Sequence, residues 1–168
     1  MARGLAAEMN IYIQTDDFSL SGLYEDLRQR HGAAIGAIAI FSGLVRELNE
    51  KAGSGSQVSA LTLEHYPGMT EKSIERIVSK AQERWPLLDV TVVHRVGTLQ
   101  PADQIVAVLA ASAHRDAAFA AAEFIMDYLK TDAVFWKKES AVDGDNWVQT
   151  TDDDRARAGS WQSSKSPD

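Results

Sequence analysis

The chain has 168 residues, of which 45% are hydrophobic and four are proline, so it can bury one sizeable core and predicts a single domain. Its formal net charge of -7 argues against a general nucleic-acid binder, which needs a basic surface to displace counterions from phosphates. The absence of cysteine excludes disulfides, thiolate metal sites and a cysteine nucleophile. Any sulfur chemistry would therefore need sulfur brought by a partner.

No stretch approaches the roughly 20 continuous apolar residues that a membrane-spanning helix requires. The N-terminus also lacks the charged-then-apolar layout of a secretory signal. We therefore expect a cytoplasmic protein that engages neither a membrane nor nucleic acid.

The sequence pattern of the first half predicts two strand–helix units, with a further strand and a loop between them. Strands are predicted from apolar/polar alternation or from apolar runs, and helices from apolar residues that recur every three or four positions. The predicted elements are a strand over 10–15, a helix carrying Leu20, Leu23 and Leu27, a buried strand over 36–45, a mobile loop over 47–57, a strand over 58–65 and a helix from Ile74 to Trp85.

The second half predicts two strands over 90–96 and 104–112 that pair antiparallel, followed by an alanine-rich helix over 116–130. Short strands over 133–139 and 146–150 end the folded part. The fold class is α+β, a mixed or antiparallel sheet with about three helices packed on it. The domain is expected over residues 1–150, with a polar, flexible tail over 151–168.

Cationic side chains suggest an anion site near the start of the alanine-rich helix. His114 and Arg115 open that helix, where backbone N–H groups and the helix dipole favour anions. Arg46 follows the strand over 36–45, a position from which a guanidinium can grip phosphate. The alternative is that these are solvated side chains and that Asp116 offsets the charge of Arg115.

Two lysines could converge near the end of the same helix. Lys130 lies one helical turn beyond Met126. Lys137 and Phe135 lie on the same face of the following strand. Two ammonium groups in a partly apolar pocket depress each other's pKa, so that one can act as a base while the other holds an anion. From pattern alone, ordinary surface lysines remain the alternative.

The histidines do not indicate a metal site. His31, His65 and His94 are scattered along the chain and lack the close pairing of a metal motif. We predict no metal site and no cofactor.

Several segments, in order over residues 11–148, resemble the large, catalytic subunit of molybdopterin synthase. They are Phe41-Ser-Gly-Leu-Val-Arg46, Leu63-Glu-His-Tyr-Pro-Gly-Met-Thr70, His94-Arg-Val-Gly97, Ser112-Ala-His-Arg115, Phe124-Ile-Met-Asp-Tyr-Leu-Lys130 and Phe135-Trp-Lys-Lys-Glu139. The resemblance implies an α+β domain that dimerises and receives the C-terminal Gly-Gly thiocarboxylate of a small ubiquitin-like carrier subunit, within a heterotetramer. It implies a sulfurtransferase that acts on cyclic pyranopterin monophosphate in molybdenum cofactor biosynthesis.

The resemblance also implies functional residues. It places the family's essential lysines on Lys130 and Lys137, its anion-binding groups on Arg46, His114 and Arg115, and pocket walls on Phe41 and Met126. Our hypothesis is that Lys130 contacts the carrier's terminal carbonyl and Lys137 assists proton transfer, while the anion-binding groups hold the phosphate. Two departures stand out: a longer loop over 47–57, and Thr151 where a basic residue is expected.

Two other classes of function remain open at this point. One is a carrier-binding scaffold or regulatory paralogue that keeps the fold without turnover. The other is a general anion-binding α+β domain with no preference for the carrier.

Overall fold

The computed structural model describes residues 7–47, 57–141 and 144–163, so most of the predicted loop over 47–57 lies outside the described residues. The strands are β1 (Glu8–Gln14), β2 (Ala37–Leu44), β3 (Val58–His65), β4 (Leu87–Arg95), β5 (Gly97–Leu99), β6 (Gln104–Ser112), β7 (Phe135–Ala141) and β8 (Gly144–Val148). The helices are α1 (Leu20–His31), α2 (Met69–Arg84), α3 (Arg115–Thr131) and α4 (Asp152–Ser163), with a 3₁₀ turn at Gly32–Ala34. None of these helices is long and apolar enough to cross a membrane.

The first sheet has the order β1-β4-β6-β2, in which β1 and β4 are parallel and the other neighbours antiparallel. Val92 lies opposite Val108, which confirms the predicted pairing of the strands over 90–96 and 104–112. Because β6 is central, its side chains are buried on both faces, alternately against α2 and α3 or against α1. This explains its nearly continuous apolar sequence.

The second sheet has the order β5-β3-β7-β8 and is antiparallel throughout. A small core of Val45, Leu61, Leu63 and Leu99 lies beneath it. The chain leaves α3 at Thr131 and enters β7 at Phe135, so the end of α3 lies beside the second sheet. The predicted α+β class is confirmed, with strands divided between two sheets and four helices instead of about three.

The expectation that residues 36–45 form a buried strand is wrong for most of its length. Strand β2 is at the edge of the first sheet, where only one neighbour covers it. Ile40, Phe41 and Leu44 are between 40% and 52% exposed. An apolar run predicts a strand, but the run alone does not distinguish a central strand from an exposed apolar edge.

The expectation of a loose tail over 151–168 is wrong for residues 152–163, which form α4, and residues 164–168 lie outside the described residues. Trp161 anchors this helix: its ring packs edge-on against Trp85 and Phe124, and its Nε1 donates to Asp127 at 2.8 Å. Ala158 is buried in the main core. One aromatic side chain and one small one thus attach a helix whose sequence is otherwise polar.

Candidate active site

A cleft of about 420 Å³ lies where the end of α3 meets β7, β8 and the start of α4. Its charged lining consists of Arg46, Lys130, Lys137, Glu139 and Asp154. We call it the cationic cleft. It brings together three of the five cationic or anion-binding residues expected from the sequence.

Lys137 points into this cleft from the middle of β7, where it lies opposite Leu63 of β3 and Val148 of β8. Phe135 lines the same cleft, whereas Trp136 is 46% exposed, so the predicted division of the two strand faces is confirmed. Burial lowers the pKa of Lys137, and the charge of Lys130 lowers it further. Lys137 therefore gives up its proton more readily than an ordinary lysine.

Lys130 is more exposed and has a carboxylate partner. Its Nζ lies 3.8 Å from Oδ1 of Asp154, with side-chain exposures of 50% and 17% respectively. Thr151, where a basic residue was expected, donates from Oγ1 to Oδ2 of Asp154 at 2.7 Å. Thus α4 contributes a fixed negative charge to the lysine pair.

A second cleft of about 830 Å³ lies between β2, α3 and α4, and we call it the apolar cleft. Ile40, Phe41, Phe119 and Met126 supply its large apolar side chains, and its rim carries charged residues: Glu123, Asp127, Lys130, Asp153, Asp154 and Arg157. The predicted wall residues therefore line a space adjoining the cationic cleft. Lys130 and Asp154 border both clefts.

His114 and Arg115 are not part of either cleft in this chain. His114 is the N-cap residue of α3, and Arg115 is an exposed side chain 3.8 Å from Asp116. Lys130 lies fifteen positions after Arg115 on the same helix, which at a rise of 1.5 Å per position is about 22 Å. One phosphate cannot span the two ends of α3 within a single protomer.

His94 is a functional-site neighbour that the sequence reasoning passed over. Its ring is 6% exposed and stacks on Phe135 with centroids 3.9 Å apart, behind the wall of the cationic cleft. Nδ1 donates to the carbonyl of Arg95 at 2.9 Å. Burial, with smaller contributions from the nearby charges of Lys137 and His65, lowers the pKa of His94 to about 4. The sequence feature that could have indicated a role for His94 near the site is its position in the motif His94-Arg-Val-Gly97.

Among the described residues, Glu8, His31 and Asp89 place potential metal-ligand atoms within 4.8 Å of one another. His31 Nε2 lies 2.8 Å from Asp89 Oδ2, and Arg30 donates to the same oxygen from Nη2 at 2.9 Å. The guanidinium already neutralises the buried carboxylate and occupies the oxygen that a cation would need. This arrangement is typical of an ion-pair network that attaches the end of α1 to β4.

The fold and the clefts define an α+β domain with a cationic site at the end of a helix. The chain matches the family model described as MoaE protein over residues 13–132. It is 51% identical to the molybdopterin synthase catalytic subunit of Vibrio cholerae over 152 residues, which cover 90% of this chain and 97% of that relative. The chain therefore belongs to the MoaE protein family.

Solved structures agree with this membership. The molybdopterin biosynthesis MoaE protein from Burkholderia ambifaria is 50% identical with a TM-score of 0.77, covering 93% of this chain and 99% of that one. A chain from a complex of subunits 1 and 2 of the molybdopterin-converting factor from Helicobacter pylori has a TM-score of 0.64 at 16% identity, covering 83% and 89%. At that identity the likeness shows the fold alone.

Proposed function

We propose that this chain is the catalytic subunit of a molybdopterin synthase of the cytoplasm. It transfers two sulfurs, each from the C-terminal thiocarboxylate of one small ubiquitin-like carrier subunit, to cyclic pyranopterin monophosphate. The two transfers form the dithiolene of molybdopterin, open the cyclic phosphate and leave each carrier with a C-terminal carboxylate. The observation that carries the proposal is the cationic cleft, where Lys137 has a lowered pKa beside Lys130 and Arg46. Family membership at about 50% identity to named catalytic subunits supports the same reaction.

The two clefts support a division of labour between the lysines. The apolar cleft suits an extended Gly-Gly tail, and Lys130 at its border is placed to contact the terminal carbonyl of the carrier. Lys137, whose pKa is lowered, suits proton transfer at the pterin side chain. Arg46 lines the same cleft and suits the phosphate.

The phosphate site is proposed to be completed by a second copy of the chain. His114 and Arg115 are about 22 Å from Lys130 along α3, so they serve the same phosphate only if another protomer supplies them. A homodimer with one carrier on each large subunit gives the expected heterotetramer.

The direct test is incubation of the chain with thiocarboxylated carrier and cyclic pyranopterin monophosphate, with dithiolene formation as the readout. We expect Lys130→Ala and Lys137→Ala each to nearly abolish product while leaving the circular dichroism spectrum unchanged. Lys138→Ala is the matched control, because Lys138 projects from the opposite face of β7 and pairs with Asp145 at 3.4 Å. Wild-type turnover by both cleft variants would remove the lysines from the mechanism.

A carrier-binding scaffold is the competing function, and the same experiment separates it from the enzyme. A scaffold binds the carrier but gives no dithiolene with any variant. The lowered pKa of Lys137 favours the enzyme, because docking alone does not need a lysine that releases its proton readily.

A further inference from the structure

Asp154 lies in the first turn of α4, and its side chain is held by that turn. Thr151 donates from Oγ1 to Oδ2 of Asp154 at 2.7 Å, and the Asp154 backbone N–H donates back to the same hydroxyl at 3.2 Å. The Thr151 backbone N–H also points to Oδ2, at 3.4 Å. This is a reciprocal capping box, which fixes the carboxylate relative to the helix backbone.

The remaining oxygen, Oδ1, faces Lys130 at 3.8 Å. Exposed ion pairs contribute little, since two mobile side chains must be ordered in water. Here the carboxylate is only 17% exposed and is already oriented by the cap, so the ordering cost falls mainly on Lys130. The pair also stands at the border between the cationic and apolar clefts.

We propose that Asp154 is a positioning residue of the sulfur-transfer site, which holds the ammonium group of Lys130 where the two clefts meet. The proposal rests on the proposed function, since it assumes that Lys130 meets the carrier's terminal carbonyl there. Asp154 acts through Lys130 and Lys137. We do not propose that it touches the reacting atoms. Helix α4 is thereby part of the site and not an appendage of the domain.

Asp154 also influences Lys137 through its charge. Among the described residues, the charged and titratable groups around Lys137 are Arg46 after β2, His65 on β3, His94 on β4, Lys130 on α3, Glu139 on β7 and Asp154 on α4. Burial and Lys130 lower the pKa of Lys137, whereas Asp154 and Glu139 raise it. Neutralising Asp154 therefore lowers the pKa of Lys137 further.

Three substitutions isolate this role. Asp154→Asn removes the charge but keeps an oxygen for the cap, and Asp154→Glu keeps both the charge and a good capping-box residue. Asp152→Asn removes the same charge from the same helical turn, where Asp152 is fully exposed and pairs with Arg155. All three are assayed as the complex with carrier, at saturating substrate and over a range of pH.

We expect Asp154→Asn to lower kcat at least about fivefold through loss of Lys130 placement. The rise of activity with pH should move to lower pH, since Lys137 loses its proton more easily. Asp154→Glu should recover most of the turnover, and Asp152→Asn should stay within twofold of the wild-type protein. Unchanged kcat and pH profile in Asp154→Asn, or an equal loss in Asp152→Asn, would overturn the proposal.

A second measurement separates this proposal from the proposed function. Acetylation of Lys137 by acetic anhydride, followed by peptide mass spectrometry as pH is varied, reports its deprotonation without turnover. We expect half-maximal labelling at lower pH in Asp154→Asn than in the wild-type protein. If wild-type complex forms no dithiolene, the proposed function fails, whereas an identical labelling midpoint in both proteins overturns the role of Asp154.

Discussion

His94 shows how a buried neutral residue can support a charged site. Its imidazole stacks on Phe135, two residues before Lys137, and its Nδ1 is bonded to the carbonyl of Arg95. A protonated ring here would be buried and would face the charge of Lys137. The lowered pKa therefore keeps the ring neutral at the pH where the lysines work.

The same residue makes stability depend on pH. The pKa of His94 is about 4 in the folded chain and near 6.5 when unfolded, so the unfolded chain binds more protons between these values. His94 thus lowers the free energy of unfolding as pH falls from 6.5 to 4, by up to about 3 kcal/mol. His94→Phe keeps an aromatic ring against Phe135. We expect it to reduce the fall in unfolding free energy between pH 6.5 and 4, as measured by urea unfolding at a series of pH values.

The control for this prediction is His114→Gln, which removes an exposed histidine at the start of α3. It should retain the acid loss of the wild-type protein. Equal slopes of unfolding free energy against pH in His94→Phe and wild-type protein would contradict the assignment.

The sequence predicted which side chains lie together wherever they belong to one strand or one helix, because the repeat of that element determines the side each residue faces. Strand alternation placed Phe135 and Lys137 on one face, and helical spacing placed Met126 one turn from Lys130. The ion pair of Lys130 with Asp154 was not predictable in this way. It joins two elements 24 positions apart, and no local pattern indicates that their ends meet.

At the scale of elements, the sequence of α4 contains a signal for the start of a helix but lacks the apolar stripe that would predict its continuation. Thr151 and Asp154 have capping-box spacing, which marks a helix start. The following segment lacks the apolar stripe that normally predicts a helix, because Ala158 and Trp161 are its main core contacts. Tertiary packing therefore outweighed composition, and the expectation of a loose tail over 151–168 was wrong for residues 152–163.

The attachment of α4 by Trp161 can be tested directly. Trp161→Ala removes the contacts with Trp85 and Phe124 and the bond to Asp127, and should lower the free energy of unfolding by about 3 kcal/mol. Hydrogen exchange over 152–163 should accelerate, and dithiolene formation should fall because Asp154 loses its position. The measurements are urea unfolding, exchange mass spectrometry and the product assay.

The matched control is Trp147→Ala, since Trp147 is 60% exposed on β8. Its stability should stay within about 0.5 kcal/mol of wild type. An equal loss in both variants would show that Trp161 has no special part in holding α4.

At the scale of the whole molecule, the length of α3 decides how the expected site residues can be used. One continuous α-helix, Arg115–Thr131, holds His114 and Arg115 at one end and Lys130 at the other. Residue numbers alone contain this separation, because 15 helical residues span about 22 Å. The sequence could therefore have shown that the five residues divide into two groups, but not which surface brings the groups together.

A mixed dimer tests whether the two groups meet across protomers. Arg115→Ala and Lys137→Ala chains, each expected to have low turnover as a homodimer, are co-expressed with different affinity tags and the mixed species is purified. If sites are shared, one of its two sites receives an intact Lys137 and an intact Arg115, so turnover should return to about half of wild type. If each site is built from one chain, both sites of the mixed dimer carry a defect and turnover stays at the level of the homodimeric variants. A mixed dimer of Lys130→Ala with Lys137→Ala is the control, since these residues share a cleft and should not complement in either arrangement.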